Sequence, residues 1–387
     1  MKIALVHEWL TPQATGGSEL VVKEILGFID AEIFALIDFE SSNPHSYLYQ
    51  RQIHTSFLQH FPLSRNGVQK YLPLLPIAIE QLNLTQYDVI LSSSHAVAKG
   101  VITRPDQLHI CYSHTPMRYA WDLTFDYLDR SKLGKGIQGI IARYILHRLR
   151  QWDVTSSNQV DYFIANSHHT ARRIWRCYRR EAKVIYPPVQ VQDFVYQPQK
   201  SDYYITVSRL VSYKKISLIV EAFNQLGKPL VVIGDGEEMK QIQAIAKPNI
   251  TLLGTVSYDT LKEYLSNAKA FVYASCEDFG IAIVEAQACG TPVIAYNAGG
   301  ATETVIDIRQ DKQKGTGVLF SPQTVEGLIE GVETFIEVEK DINPENCRTQ
   351  AEKFSAEVFK QSYLDYLEYC YEQFFYPKSN NLLHWSE

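Results

Sequence analysis

Short runs of β-branched and aromatic residues alternate with longer amphipathic segments along most of this chain, and no other feature narrows its possible folds so far. Residues 2–7, 33–38, 87–92, 109–113, 162–166 and 184–186 read as strands, with segments between them long enough to be crossover helices. Strands joined through helices enter a sheet in parallel, with helices on both faces. The expected class is α/β and doubly wound.

The rhythm pauses once. After Pro187-Pro188 a polar stretch, 190–202, precedes the next strand, and the alternation resumes at 204–207, 230–233, 250–253, 270–274, 293–296 and 318–320. At about 150 residues per domain, 387 residues are too many for one core. The expected domains are 1–195 and 196–364, joined by a linker at 190–202, with a tail from about 365 to 387 packing back onto the first. Gly290-Thr291-Pro292 should cap the helix around Glu285 and start a strand at Pro292. Two such domains would bind a ligand in a cleft between the carboxyl ends of their strands.

Composition excludes several classes. With 45% hydrophobic and 21% charged residues the chain can bury real cores, so disorder is not its main theme. Near the start, the uncharged apolar stretch 71–79 falls far short of the ~20 residues that span a bilayer. The first eight residues carry charges at Lys2 and Glu8 and read as a strand rather than a leader, so the expected location is the cytosol, with the inner face of the membrane as an alternative. Six cysteines without C-x-x-C spacing argue for reduced thiols and against a zinc site. The net charge of −6 divides into +3 for 1–195 and −9 for 196–364 with the tail, too weak a basic bias for a nucleic-acid binder.

The strongest constellation runs from Ser275 through Glu277, Phe279, Gly280 and Ile281 to Glu285, a strand end, a glycine turn and a helix start. Unpaired N–H groups and the helix dipole favour an anion such as a diphosphate there. Glu277 and Glu285 could accept hydrogen bonds from sugar hydroxyls on either side of it. As a hydrolase pair they are badly spaced, since eight helical residues rise about 12 Å and hydrolases hold their carboxylates about 5–9.5 Å apart. Arg209, closing a strand, and Lys214, opening the following helix, could neutralise a departing nucleoside diphosphate without a metal. Each of these residues could also be an ordinary solvated charge.

In the first domain, Gly16-Gly17-Ser18-Glu19 forms a loop whose backbone can approach a ligand. His114 follows a strand and opens a proline-fixed turn dense in polar and aromatic groups; it could bind a sugar or phosphate oxygen or be structural. Gly134 to Gly139 fits G-x-G-x-x-G but follows no strand, and reads as a helix entry. Gly234-Asp235-Gly236 reads as a tight turn beside the cleft. His168-His169 lacks companion ligands and no D-x-D occurs, so a metal-bridged diphosphate is not expected. Residues 133–152 lack Asp and Glu and mix cations with isoleucines. The favoured reading is a core-facing helix with a solvated basic face, and the alternative is a helix lying on an anionic membrane. Arg172, Arg173, Arg176, Arg179 and Arg180 add a positive field able to attract a phosphorylated acceptor.

Taken together, Gly16-Gly17, His114, Asn166-Ser167, Arg209 with Lys214, Gly234-Asp235-Gly236, the E-x7-E of Glu277 and Glu285, and Gly299-Gly300 with Glu303 resemble the retaining glycosyltransferases of family four, which adopt the two-domain GT-B fold. Segments 53–58, 92–100 and 114–121 look closest to a bacterial mannosyltransferase-like subgroup making surface polysaccharides. The resemblance implies that Glu277 holds donor-sugar hydroxyls, Glu285 the ribose, and Arg209 with Lys214 the diphosphate. It further implies that Phe279, Gly280 and Ile281 offer backbone amides, that Gly16, Gly17 and Gly234 border the donor, that Val256 borders the base, and that His114 contacts the transferred sugar. Lys215 departs from the pattern, since many members have glycine there.

The expected activity is retaining, metal-independent hexosyl transfer from GDP-mannose or UDP-glucose to a saccharide or lipid-linked saccharide, with no cofactor. Two other readings fit the same residues: a nucleotide-sugar epimerase or hydrolase on the same fold, and a silent partner subunit that binds nucleotide-sugar.

Overall fold

A computed structural model describes residues 1–12, 16–62, 64–130 and 135–377. The chain forms two compact units: Met1–Tyr186 together with the chain from Lys360 onward, and Pro187–Phe359.

Among the described residues of the first unit, strands β1 (Ile3–Leu10), β2 (Glu32–Asp38), β3 (Ile53–Thr55), β4 (Val89–Ser94), β5 (Leu108–Ser113), β6 (Tyr162–Ala165) and β7 (Ala182–Val184) form one sheet. Its order is β3-β2-β1-β4-β5-β6-β7, and every pairing is parallel. β1 is buried along nearly its whole length, as expected for a parallel strand covered on both faces. Ala4, Val6, Phe34, Ile90, Leu146 and Leu149 belong to the core between sheet and helices. β3 was not read from the sequence, because three residues are too few to display a period. The returning helix Ala356–Phe375 seats Tyr363 edge-on to Phe28 at 5.9 Å and Tyr366 edge-on to Tyr162 at 6.4 Å.

The second unit repeats the plan with β8 (Tyr204–Val207), β9 (Leu230–Ile233), β10 (Ile250–Gly254), β11 (Ala270–Tyr273), β12 (Val293–Tyr296) and β13 (Gly317–Phe320). The sheet order among the described residues is β10-β9-β8-β11-β12-β13, again parallel. Tyr204, Val220, Phe223, Val232, Val272 and Phe335 lie in its core.

Strand order reverses between β1 and β4 in one unit and between β8 and β11 in the other. At such switch points the loops on either side diverge to opposite faces and leave a crevice at the carboxyl ends.

The stretch 190–202 is not a free linker. Gln197 N–H donates to Cys289 O at 3.0 Å and Ser201 N–H to Asn267 O at 2.7 Å. Lys200 Nζ donates to Ser266 O, Cys289 O and Thr291 Oγ1 at 2.8, 3.1 and 2.8 Å. Polar composition there reflects hydrogen bonds to the body of the second unit, and the units divide earlier, at Tyr186. No helix among the described residues is long and apolar enough to cross a membrane.

Candidate functional site

In the second unit the residues singled out from sequence gather on loops at the carboxyl ends of β8 to β11. Past β8, Arg209 is exposed, its guanidinium 3.3 Å from the Tyr213 hydroxyl. Lys214 closes a single 3-10 turn, Ser212–Lys214, rather than opening the helix, which begins at Ile216. Between them Lys215 adopts a left-handed conformation, φ 58° and ψ 32°. That is the backbone state glycine takes at no steric cost, which accounts physically for glycine being common there in the family that the chain resembles.

Past β11, Glu277 lies on the loop that leads to the helix Ile281–Ala288. Gly280, at φ 91° and ψ 63°, lets the chain turn sharply into that helix. The Lys214 ammonium pairs with the Glu277 carboxylate across the switch point. Ser275 Oγ adds a hydrogen bond to Glu277 Oε1 at 3.3 Å. Burial pushes the Glu277 carboxyl up, but the Lys214 charge and hydrogen bonds from Lys214, Tyr273 and Ser275 outweigh it and hold it below the usual range. Lys214 is thus a cation fixed beside a carboxylate at a helix entry.

Glu285 sits one turn inside that helix, and burial raises its carboxyl to about 7. The neighbouring loops brace the site. Gly300 N–H donates to Glu277 O at 2.8 Å, and Leu210 N–H to Asp235 O at 2.9 Å. Gly234, at φ 132°, packs so tightly that a Cβ would fall 1.8 Å from Ser208 O. Val256, partly buried, lies between the end of β10 and the helix Tyr258–Asn267.

The first unit holds a second polar cluster, at its own switch point. Gly16 caps the helix Gly17–Phe28, and its N–H donates to Glu19 Oε2 at 2.9 Å. His114, past β5, is buried, with Nε2 2.8 Å from Ser93 Oγ, and burial lowers its pKa to about 3, so the ring is neutral. Asn166 Nδ2 donates to His114 O at 3.0 Å, while Ser167 caps the helix His168–Tyr178.

His7, Glu8 and His95 were missed. Glu8 is fully buried, and its Oε1 accepts from the Ser94 hydroxyl and from the N–H groups of residues 95–98 at 2.8–3.0 Å. Its Oε2 lies 3.0 Å from His95 Nδ1, and the His95 side chain is a quarter exposed. Burial opposes both charges, but each group's charge favours the other's, leaving Glu8 depressed and His95 raised. His7 Nδ1 donates to Ser93 O at 3.1 Å and its Nε2 lies 3.7 Å from Glu19 Oε1. For Glu19 burial is again the largest influence and again loses to His7 and His95, which with Ser18 bring it to about 2. The signal was present in the sequence: two titratable residues side by side in a strand apolar on both faces.

Two expectations change. Of the arginines at 172–180, Arg173 pairs with Asp122 at 2.7 Å, and Arg180 donates to the carbonyls of Ser157, Val160 and Asp161, so part of the expected positive field is engaged internally. The basic segment does not simply turn its apolar side inward: Ile137, Ile140, Ile141 and Tyr144 are exposed. Leu133 and Gly134, the first residue of the G-x-G-x-x-G match, lie outside the described residues. Among the described residues no three His, Cys, Asp or Glu side chains form a metal-binding group.

Two Rossmann-like units, each with a polar cluster at its switch point, define the GT-B class. The model for Glycosyltransferase Family 4 matches residues 15–193, and the model for Glycosyl transferases group 1 matches 191–354. Between them the two cover most of the chain, which belongs to the GT-B glycosyltransferases. Among solved structures, HepE from Anabaena in complex with UDP covers 95% of this chain and 100% of its own at 19% identity, TM-score 0.68. Sucrose-phosphate synthase from Thermosynechococcus elongatus covers 96% and 99% at 17% identity, TM-score 0.71. Both share the fold. An uncharacterized glycosyltransferase of Methanocaldococcus jannaschii is 30% identical over 152 residues, 38% of this chain and 43% of that relative. The mouse GDP-Man:Man(3)GlcNAc(2)-PP-Dol alpha-1,2-mannosyltransferase is 23% identical over 241 residues, 54% of this chain and 48% of the relative. The matches thus span under half the length of these curated relatives.

Proposed function

We propose that this protein transfers a hexosyl group, with retention of anomeric configuration, from a nucleotide-diphospho-sugar to a saccharide or lipid-linked saccharide. The observation that carries the reading is the Lys214–Glu277 pair, set across the switch point beside a helix entry. A donor's diphosphate would take Lys214 and the amides of Phe279, Gly280 and Ile281, with Arg209 alongside. Glu277, released from Lys214, would accept from the sugar hydroxyls, and Glu285 would accept from the ribose. The acceptor oxygen bonds to the anomeric carbon as the bond from that carbon to the phosphate oxygen breaks. The acceptor's proton passes to the departing diphosphate, whose charge the two cations balance. The first unit supplies the acceptor side, with its His114 contacting the transferred sugar and its Gly16-Gly17 loop bordering the donor. On this reading no metal or cofactor is required.

The mannosyltransferase relative makes GDP-mannose one candidate donor, and HepE, described with UDP, makes UDP-glucose another. The test incubates the purified chain with a panel of nucleotide-sugars and saccharide acceptors and identifies the products. Transfer with retained configuration supports the reading. Donor epimerised or hydrolysed with no glycoside formed would favour the epimerase or hydrolase, and binding without turnover the silent subunit.

A further inference from the structure

The helix Gly136–Ser156 carries two rows of residues on opposite sides. Gly139, Leu146, Leu149 and Asp153 are buried. At the end of that row the Lys99 ammonium pairs with Asp153 Oδ1 at 2.7 Å, while Trp121 Nε1 and the Tyr178 hydroxyl donate to Oδ2 at 2.7 and 2.8 Å. This buried network fixes the rotation of the helix about its own axis.

Successive residues turn by about 100° around a helix, so Ile137, Ile140, Ile141 and Tyr144 project from the side away from that row. They are 77, 69, 53 and 64% exposed. Single exposed apolar residues need no explanation, but four at i, i+3, i+4 and i+7 make a continuous apolar face. Arg148 continues that face one turn further, Arg143 and His147 lie beside it, and no Asp or Glu occurs between 136 and 152.

The occupant of such a face is apolar at its centre and anionic at its margin. A second copy of the chain, meeting it by two-fold symmetry, would set these cations against their own kind. We propose that this helix docks on an anionic lipid surface, with Ile137, Ile140, Ile141 and Tyr144 entering the acyl boundary and Arg143 and Arg148 meeting lipid phosphates. The inference does not depend on the identity of the donor.

The test is flotation of the full chain with vesicles of phosphatidylcholine alone or mixed with phosphatidylglycerol. The mixed vesicles should bind the protein at low salt, and the neutral ones far less. Arg143→Gln with Arg148→Gln should weaken binding roughly thirtyfold, and Ile140→Ser with Ile141→Ser at least about tenfold. Unchanged thermal unfolding of these surface variants rules out a folding defect. The proposal is overturned by an absence of binding to mixed vesicles, by variants that bind as wild type does, or by a wild-type dimer in sedimentation that the isoleucine changes dissolve.

Discussion

Glu8 and His95, 87 positions apart in sequence, meet at 3.0 Å, and the carboxylate's other oxygen accepts from four successive backbone N–H groups. A fully buried carboxylate is stable only with such compensation. The pair fixes the His95 ring at the first unit's switch point.

The Glu8–His95 pair predicts a pH-dependent loss in Glu8→Gln. Glu8 is depressed, so its contribution is present above the unfolded carboxylate range and lost as pH falls through it. His95 is raised, so its contribution is full below its unfolded value and lost as pH rises through the folded one. Denaturant unfolding near about pH 6 should show Glu8→Gln less stable by about 3 kcal/mol, and the gap should narrow in alkali. A gap that does not vary with pH would refute the ion pair.

For the second unit, Lys214→Ala and Arg209→Ala should each reduce turnover by about 10²–10³, the usual effect of removing one preorganised charge at a developing anion. Donor-saturated rates, with unfolding curves as a control, check this. Near-normal rates in both variants would remove the proposed role of the cations.

Lys215 should behave differently from its neighbour. Its left-handed backbone carries a steric cost of roughly 1–2 kcal/mol that glycine lacks, while glycine gains unfolded-state entropy. Lys215→Gly should therefore leave turnover intact and raise stability by up to about 1 kcal/mol. A large fall in rate would show instead that Lys215 serves the diphosphate.

Glu285, raised to about 7 by burial, should couple nucleotide binding to proton release. On the proposed reading ribose hydroxyls would donate to the ionised carboxylate, so affinity for a nucleotide-sugar should rise with pH through neutrality. Calorimetry in buffers of different ionisation enthalpy measures the released protons, and Glu285→Gln should abolish the release. Stability carries the opposite sign: the folded state favours the protonated acid, so wild type should weaken as pH rises from about 4.5 towards 7. Glu285→Gln should not.

Much of the fold was legible because parallel strands buried on both faces leave apolar runs such as 204–207 and 230–233, and glycine turns mark their ends. The E-x7-E motif and the Arg209–Lys214 spacing were legible for the same local reason, since each lies on one loop or one loop and its helix. The short β3 was not legible, because three residues carry no period, and 190–202 misled, because polar composition does not distinguish a free linker from a segment hydrogen-bonded to its domain.

The sequence by itself determined the alternation of strand and helix, the two-unit plan and which charges stand at strand ends. Tertiary structure decided which of those charges meet. Only sheet order brings Lys214 after β8 to Glu277 after β11, and Glu8 on β1 to His95 after β4. Spacing along a chain says nothing about which strands become neighbours, since that choice is made by packing two apolar faces against helices. The outward row on Gly136–Ser156 has the same origin: its apolar residues were visible from the start, but the buried Lys99–Asp153 pair chose the side that faces out.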